Sequence, residues 1–501
     1  MSTNPFPYSD RPDPAELKNA SRRRFLRQSG LGIGWLAAMD LFNSDLTRSM
    51  AAEVALVNPL APKKPPMPAT AKSVISLFMQ GGPSHVDTYD PKPMLAKLNG
   101  QHPPESFGDV DFQDSKFRES VILGSRRTFK KYGESGIEVS DLFPHTSKCV
   151  DDLAVIRSVY HEGFTHSQAQ FLMNNGWPRI GRPSMGSWVL YGLGSENANM
   201  PGFVVLLQGG VRTGPAVYGQ GFLPAVYQGT SLRNGPSPIL NLNRPAGMSK
   251  DEQRDMLDTL GKLNEEHLEE RNSNSELAAR MASYELAFRM QMAAPEATDL
   301  SKESDATKKL YGLDHPNPKT ASFGGRCLLA RRLVERGVRF VQVWSGDGMN
   351  ETDWDGHKHC DQNHLDRALE TDIGVAALMT DLKARGLLDS TLVTWGGEFG
   401  RSPTCDGGGN GAGDSSGRDH NPYGFTVWVA GGGVKGGKVI GTTDELGLRA
   451  AEDPVHLHDL HASLLAFLGL DHTKLTYRYL GRDFRLTDVG GKTDLVTKLK
   501  A

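Results

Sequence analysis

Six short apolar runs, each bounded by glycine or a polar cluster, limit what this chain can fold into. They are VISLFM (Val74–Met79), LAVIRSV (Leu153–Val159), FVVLL (Phe203–Leu207), FVQVW (Phe340–Trp344), TLVTW (Thr391–Trp395) and FTVWVA (Phe425–Ala430). A strand with one wet face alternates apolar and polar residues. These runs are continuous instead, as expected of strands covered on both faces in a mostly parallel sheet. Helical patterns lie between several of them, at residues 324–337, 365–386 and 459–470, each ending at or near a glycine. Strand and helix in alternation predict an α/β fold with a mostly parallel central sheet. Residues 249–309 break the alternation: they are polar, Glu/Arg-rich and helical throughout, and read as an inserted hairpin or lid.

The segment ahead of the first run reads as an export address. Arg22 and Arg23 are followed by Phe25 and Leu26, then by a brief apolar stretch and small residues at 49–55. The apolar stretch is shorter than the roughly 20 residues a membrane span requires. Residues 1–55 are expected to be a twin-arginine signal region, which directs the protein to the periplasm or the cell exterior. The Pro-rich residues 56–72 are expected to form a linker, and residues 73–490 the folded domain. No transmembrane span is expected. The net charge of −3 leaves no basic footprint for nucleic acid, and the oligomeric state is not encoded at this level. The four cysteines, Cys149, Cys327, Cys360 and Cys405, show no Cys-x-x-Cys spacing. A thiolate metal site is therefore not expected, although one or two disulfides are compatible with an oxidising compartment.

In an α/β sheet, chemistry gathers at the carboxyl ends of the strands, so the residues flanking each run matter most. Val74–Met79 is followed by QGGPSHVDTYDPK, with Ser84, His85 and Asp87. Leu153–Val159 is followed by YHEGFTHSQAQ, where Thr165, His166 and Ser167 open a helical segment. Residues 353–364, DWDGHKHCDQNH, follow the run at 340–344. Glu398 and Arg401 follow the run at 391–395, and Arg418, Asp419 and His420 precede the last one. Any one of these motifs alone is better explained as turn chemistry or a structural ion pair. Their sorting to one end of the sheet is what indicates a site. The donors are carboxylates and imidazoles, which suit a divalent cation (Zn²⁺, Mn²⁺, Fe²⁺, Mg²⁺ or Ca²⁺). Within residues 353–364, Asp355 and His357 are the expected ligands and Asp353 the alternate. Residues 359–364 are expected to be a polar lead-in to the helix, capped by Asp361 or Asn363.

Taken together, GGPSHVDTYDPKP, HSQAQFLMNNG, WDGH, GGEFGRSP, GRDHNPYGF and DLHASLLAFLGL resemble exported bacterial proteins of domain-of-unknown-function family 1501, from about Ser73 to Asp483. That family is placed in the alkaline phosphatase and sulfatase-like superfamily. The resemblance implies an alkaline-phosphatase-like sandwich, in which a central sheet lies between helical layers. It also implies a metal frame in which Asp353 to His357 fits an Asp-x-x-x-His ligand pair and His420 the last ligand histidine. Gln80 stands where the superfamily has a metal-binding Asp, His166 where it has its nucleophile, and Gly397-Glu398 where it has an Asp-His pair. The sulfatase motif Cys-x-Pro-x-Arg has no counterpart.

The expected function is a metal-dependent hydrolase of phosphate or sulfate esters, acting on a small-molecule or polysaccharide ester. His85, Asp87, Asp353, Asp355, His357, Glu398 and His420 are the candidate metal ligands. Thr165, His166, Ser167 or a metal-bound water is the candidate nucleophile, and Arg401 and Arg418 are the candidate oxyanion clamps. The alternative is a non-catalytic metal- or ligand-binding protein that kept the fold without the usual nucleophile.

Overall fold

A computed structural model describes residues 58–233, 244, 247–270, 275–348, 353–406, 413 and 415–501. The expected signal region lies outside the described residues. Each apolar run forms a strand of one nine-stranded sheet. In chain order the strands are β1 (Ser73–Met79), β2 (Leu153–Tyr160), β3 (Phe203–Leu206), β4 (Thr230–Leu232), β5 (Phe340–Ser345) and β6 (Thr391–Gly396). A separate two-stranded ribbon, β7 (Gly400–Cys405) with β8 (Arg418–Asn421), follows. The sheet is completed by β9 (Phe425–Ala430), β10 (Lys438–Ile440) and β11 (Val455–His456).

The spatial order is β10-β2-β9-β6-β1-β5-β3-β4, with β11 also paired to β2. The β1 pairings to β5 and β6 are parallel, as are those of β3 to β5 and β4. Strand β9 runs antiparallel to both its neighbours, β2 and β6. This reversal matters for the site, because the start of β9 lies at the same sheet edge as the ends of β1, β2, β5 and β6.

Continuous apolar character has the expected cause. Along β1, Val74 and Phe78 pack into one core cluster with Phe171, Trp188 and Leu464, while Ile75, Leu77 and Met79 pack into another with Phe323, Leu328 and Leu378. Two faces, each covered by helices, make three layers. One cover consists of α1 (His166–Asn175), α2 (Met185–Leu193) and α7 (Leu457–Phe467); the other is built on α5 (Pro318–Glu335) and α6 (Cys360–Ala384). The polar stretch forms α3 (Lys250–Glu270) and α4 (Ser275–Thr298), joined by Arg254 on Glu285 at 2.6 Å. Met290, Ala294 and Ala297 bury α4 in the core cluster of α5.

Residues 58–72 run along the domain, with backbone bonds from Lys63 to Leu193 and from Met67 to Gly469. None of the four cysteines is in a disulfide, so neither of the disulfides left open by the sequence forms. Among the described residues no helix is long and apolar enough to cross a membrane.

The expected cap of α6 requires correction. Its N-cap is His359, in the left-handed region at φ 48°. Asp361 lies inside the first turn and pairs with Arg127 at 2.7 Å, while the Asn363 amide bonds to the Asp353 carbonyl at 2.9 Å. Cys360 and His364, expected in a polar lead-in, are buried, and the His364 ring accepts from the Ser84 amide at 2.8 Å.

Candidate metal centre

Three imidazoles and one carboxylate meet at the sheet edge described above. His166 opens α1 after β2, Asp355 and His357 follow β5, and His420 lies in β8 just before β9. One ligand atom from each of the four lies within 4.8 Å of the others. Asp355 Oδ1 is 3.1 Å from His357 Nε2 and 3.4 Å from His420 Nε2, and these two nitrogens are 2.9 Å apart. On the other oxygen, Asp355 Oδ2, stands His166 Nε2 at 3.1 Å.

The second nitrogen of each ring is already committed. His166 Nδ1 is 2.8 Å from Glu398 Oε1, His357 Nδ1 is 2.7 Å from Asp406 Oδ2, and His420 Nδ1 is 2.8 Å from the Phe164 carbonyl. Carboxylate and carbonyl oxygens only accept, so these partners assign a hydrogen to Nδ1, and each Nε2 offers a lone pair wherever a cation takes the place of a proton beside Asp355. This is the outer-shell arrangement that orients metal-binding histidines. Three lone pairs and a carboxylate at such separations repel one another unless protons or a cation lie among them. His166 Nε2 makes the point most directly: it is a buried atom 3.1 Å from Asp355 Oδ2.

The electrostatics agree with a cation-seeking cluster. Burial works against the Asp355 charge, yet Arg401 and the three histidines hold its carboxyl far below the usual carboxylate range. Burial also favours neutral His357, but Asp355 and Asp406 outweigh it and raise the ring to about 9. That is the pull a divalent ion would satisfy in place of the proton. Burial holds His420 well below its ordinary value, so this ring is neutral and available as a ligand.

One backbone feature brings β1 and the ligand segment together. Gly81 adopts φ +107°, and a Cβ there would lie 2.5 Å from the Trp354 amide nitrogen and 2.6 Å from that of Asp355. Only glycine permits that approach.

The remaining candidates stand around this group. Asp353 accepts from the Asp347 and Gly348 amides at 3.1 and 3.2 Å and from Arg212 Nε at 3.1 Å, and burial raises its carboxyl to about 7. Glu398 stands behind His166, accepting from the Gly81 amide and from Gln170 Nε2, both at 3.0 Å. The His85 ring bonds to the Gly447 carbonyl at 2.8 Å. Asp87 takes Arg418 Nε at 2.8 Å; burial opposes its charge, but that guanidinium leads in holding the carboxyl at about 2. Thr165 is exposed and caps α1 through the Gln168 amide, and Ser167 is exposed beside it.

Arg401 and Arg418 are both buried and committed. Arg401 serves the carbonyls of Gly81, Gly82 and Arg418 as well as Asp355, and Arg418 serves Asp87 and the Ser402 carbonyl. Asp355 thus takes Arg401 from the buried side, and the partly exposed guanidinium at the cluster is that of Arg212, 15% exposed, with Nη1 2.9 Å from Asp355 Oδ2. Arg212 is not among the residues expected from the sequence, although the run Phe203–Leu207 is followed by QGGVRTG and the strand-end argument would have reached it. Gln170 lies one helical turn beyond His166. Asp406 opens a Gly-rich stretch that reads as a surface loop, and nothing local distinguishes it.

The family described as "Protein of unknown function (DUF1501)" matches residues 71–499. Curated proteins give no match. Among solved structures the chain is similar to a sulfatase from Pseudoalteromonas sp., at 12% identity over 90% of this chain and 76% of that one, with a TM-score of 0.38. It is similar to a phosphonate monoester hydrolase from Silicibacter pomeroyi, at 12% identity over 65% and 68%, with a TM-score of 0.34. A third likeness, to the alkaline phosphatase of the Antarctic bacterium TAB5, has 10% identity over 80% and 99% and a TM-score of 0.34.

Proposed function

The chain belongs to the DUF1501 family, and from that premise we propose that it is an exported, metal-dependent hydrolase of phosphate or sulfate esters. The observation that carries this reading is the convergence of three Nε2 atoms on Asp355, each ring fixed by an acceptor on Nδ1. Asp355, His357 and His420 would hold a divalent cation, with His166 at the fourth corner. Three imidazoles with one carboxylate favour Zn²⁺ or Fe²⁺ over Mg²⁺ and Ca²⁺, which prefer oxygen donors.

Bound there, such an ion supplies Lewis acidity toward an ester oxygen. The chain's own residues do the positioning. Glu398 holds His166 by Nδ1, and the Gly81 amide and Gln170 hold Glu398 in turn. Arg401 fixes Asp355 from the buried side. Arg212 offers the nearest partly exposed positive charge to the anionic group of an ester, small or polysaccharide.

The test pairs elemental analysis of purified protein with hydrolysis of 4-nitrophenyl phosphate and 4-nitrophenyl sulfate after Zn²⁺, Fe²⁺ or Mn²⁺ loading. Stoichiometric metal and hydrolysis, both lost in His357→Ala, are expected. Protein that takes up no metal and hydrolyses neither ester would sink the reading.

A second reading, a non-catalytic binding protein, is favoured by Gln80. At the end of β1 this side chain is an amide, held by Asp353, Gln170 and the Arg212 backbone rather than directed at an ion. It predicts metal-dependent thermal stabilisation without turnover.

A further inference from the structure

We propose that three neighbouring turns, bearing Ile180, Leu480 and Val489, form one docking face for an anionic phospholipid surface. The proposal goes beyond the hydrolase reading and does not depend on it.

The face is centred on a hairpin of β12 (Tyr477–Tyr479) and β13 (Arg482–Phe484), separate from the main sheet. Asp488 ties the turns together: its Oδ1 takes Arg182 Nη1 at 3.2 Å and Arg482 Nη2 at 2.7 Å. The Arg182 guanidinium also lies 3.9 Å over the Trp177 ring and 5.2 Å from that of Phe484. Phe222 supports the hairpin, its ring centre 5.2 Å from Tyr479 and 5.0 Å from Phe484. From this base project Ile180, Leu480 and Val489, which are 72%, 88% and 84% exposed. A single exposed aliphatic residue is ordinary. Three of them, each within two residues of one arginine–aspartate cluster, make a patch.

Leu480 is the most telling of the three. The hairpin turns on two residues, Leu480 and Gly481, both at positive φ (46° and 83°). A turn of that kind favours Asn-Gly or Gly-Gly, and a leucine in the left-handed region is strained. The fold leaves this side chain open, so folding does not account for it, whereas an apolar phase outside the protein would. The surrounding charge says which phase. Residues 177–182 and 477–489 carry Arg179, Arg182, Arg478, Arg482 and Arg485 against Asp483 and Asp488, a net of +3 within a chain of net −3. Basic side chains around aliphatic tips match an anionic headgroup layer over acyl chains. A polysaccharide is met better by open aromatic faces, and here the rings of Phe222, Tyr479 and Phe484 pack on one another. The metal cluster lies at the other end of α1, about 15 Å along its axis, so the face and the cluster can be altered separately.

The deciding experiment is flotation of the full-length chain with vesicles of phosphatidylcholine alone or mixed in equal parts with phosphatidylglycerol. Residues 1–57 are common to every variant, so differences between variants report the face. Wild-type protein is expected to float with the mixed vesicles, far less with phosphatidylcholine, and to be released by salt. Replacing Arg179 and Arg478 by Gln is expected to weaken binding roughly 30-fold, and Leu480→Ser about 10-fold, with melting temperature and metal content unchanged. In Leu480→Trp, the added indole emission is expected to shift to the blue on mixed vesicles and to be quenched by brominated acyl chains. Equal binding to both vesicle types, or binding that survives the arginine and leucine variants with the added indole unquenched, would overturn the proposal. So would retention on dextran sulfate without flotation, lost in the arginine variant and untouched by Leu480→Ser, since that pattern reports a polysaccharide. None of these outcomes bears on ester hydrolysis.

Discussion

Arg401 Nη2 lies 2.7 Å from Asp355 Oδ1, and the two side chains are 0% and 2% exposed. The guanidinium compensates the carboxylate from the protein side, so the histidines approach an anion already fixed in place. Arg401→Met leaves that carboxylate buried without its partner, which typically costs about 3–5 kcal/mol. A lower melting temperature is expected, partly restored when metal is added. An unchanged melting curve would remove Arg401 from this role.

Metal binding is expected to stabilise the fold by mass action, by about 2.7 kcal/mol at a hundred times the dissociation constant. Thermal melts of the chelated and Zn²⁺-reloaded protein measure this. The shift is expected to vanish in His420→Ala and to persist in His85→Ala, whose ring serves the Gly447 carbonyl.

Glu398→Gln keeps the shape but removes the charge behind His166 Nδ1. Losing such a supporting carboxylate typically costs about 10- to 100-fold in metal affinity or activity. The expected result is a fall in kcat of that size with metal content retained, read by steady-state kinetics beside elemental analysis.

Arg212→Gln removes the partly exposed charge at the cluster. A hydrogen bond to a charged group is worth about 1.5–3 kcal/mol, so kcat/KM for an anionic ester is expected to fall by roughly 10- to 150-fold. Arg212→Lys is expected to recover only part of it, because a point charge does not replace the planar fork. Equal activity in both variants would show that the anion is held elsewhere.

Stability is expected to decline as pH drops below that of free histidine. Burial holds His461 near an apparent pKa of about 3 and His161 and His364 near about 4, all neutral in the fold. The unfolded chain protonates these rings near pH 6.5. Their contribution is therefore whole above about 6.5 and is lost toward pH 4 and then 3, at up to about 1.4 kcal/mol per pH unit for each ring. Melting temperatures from pH 7.5 to 5 check this, and His461→Gln, remote from the cluster, is expected to flatten the slope.

The sequence by itself determined the sheet, its burial on both faces and the edge at which chemistry gathers. Val74 and Phe78 belong to one core cluster and Ile75, Leu77 and Met79 to the other, which is why the run could not alternate. Asp355, His357 and His420 were also legible, since each lies within a few residues of a strand end. The selection among candidates was not. His85 and Asp87 follow β1 as closely as Asp355 follows β5, yet they turn to Gly447 and Arg418. Arginine near a strand end reads the same whether it is buried on carbonyls and a carboxylate, as Arg401 and Arg418 are, or partly exposed at the cluster, as Arg212 is. Only the tertiary structure decided these roles. A side chain's partner depends on which strands lie side by side, and the antiparallel insertion of β9 between β2 and β6 is what places His420 beside His166 and Asp355.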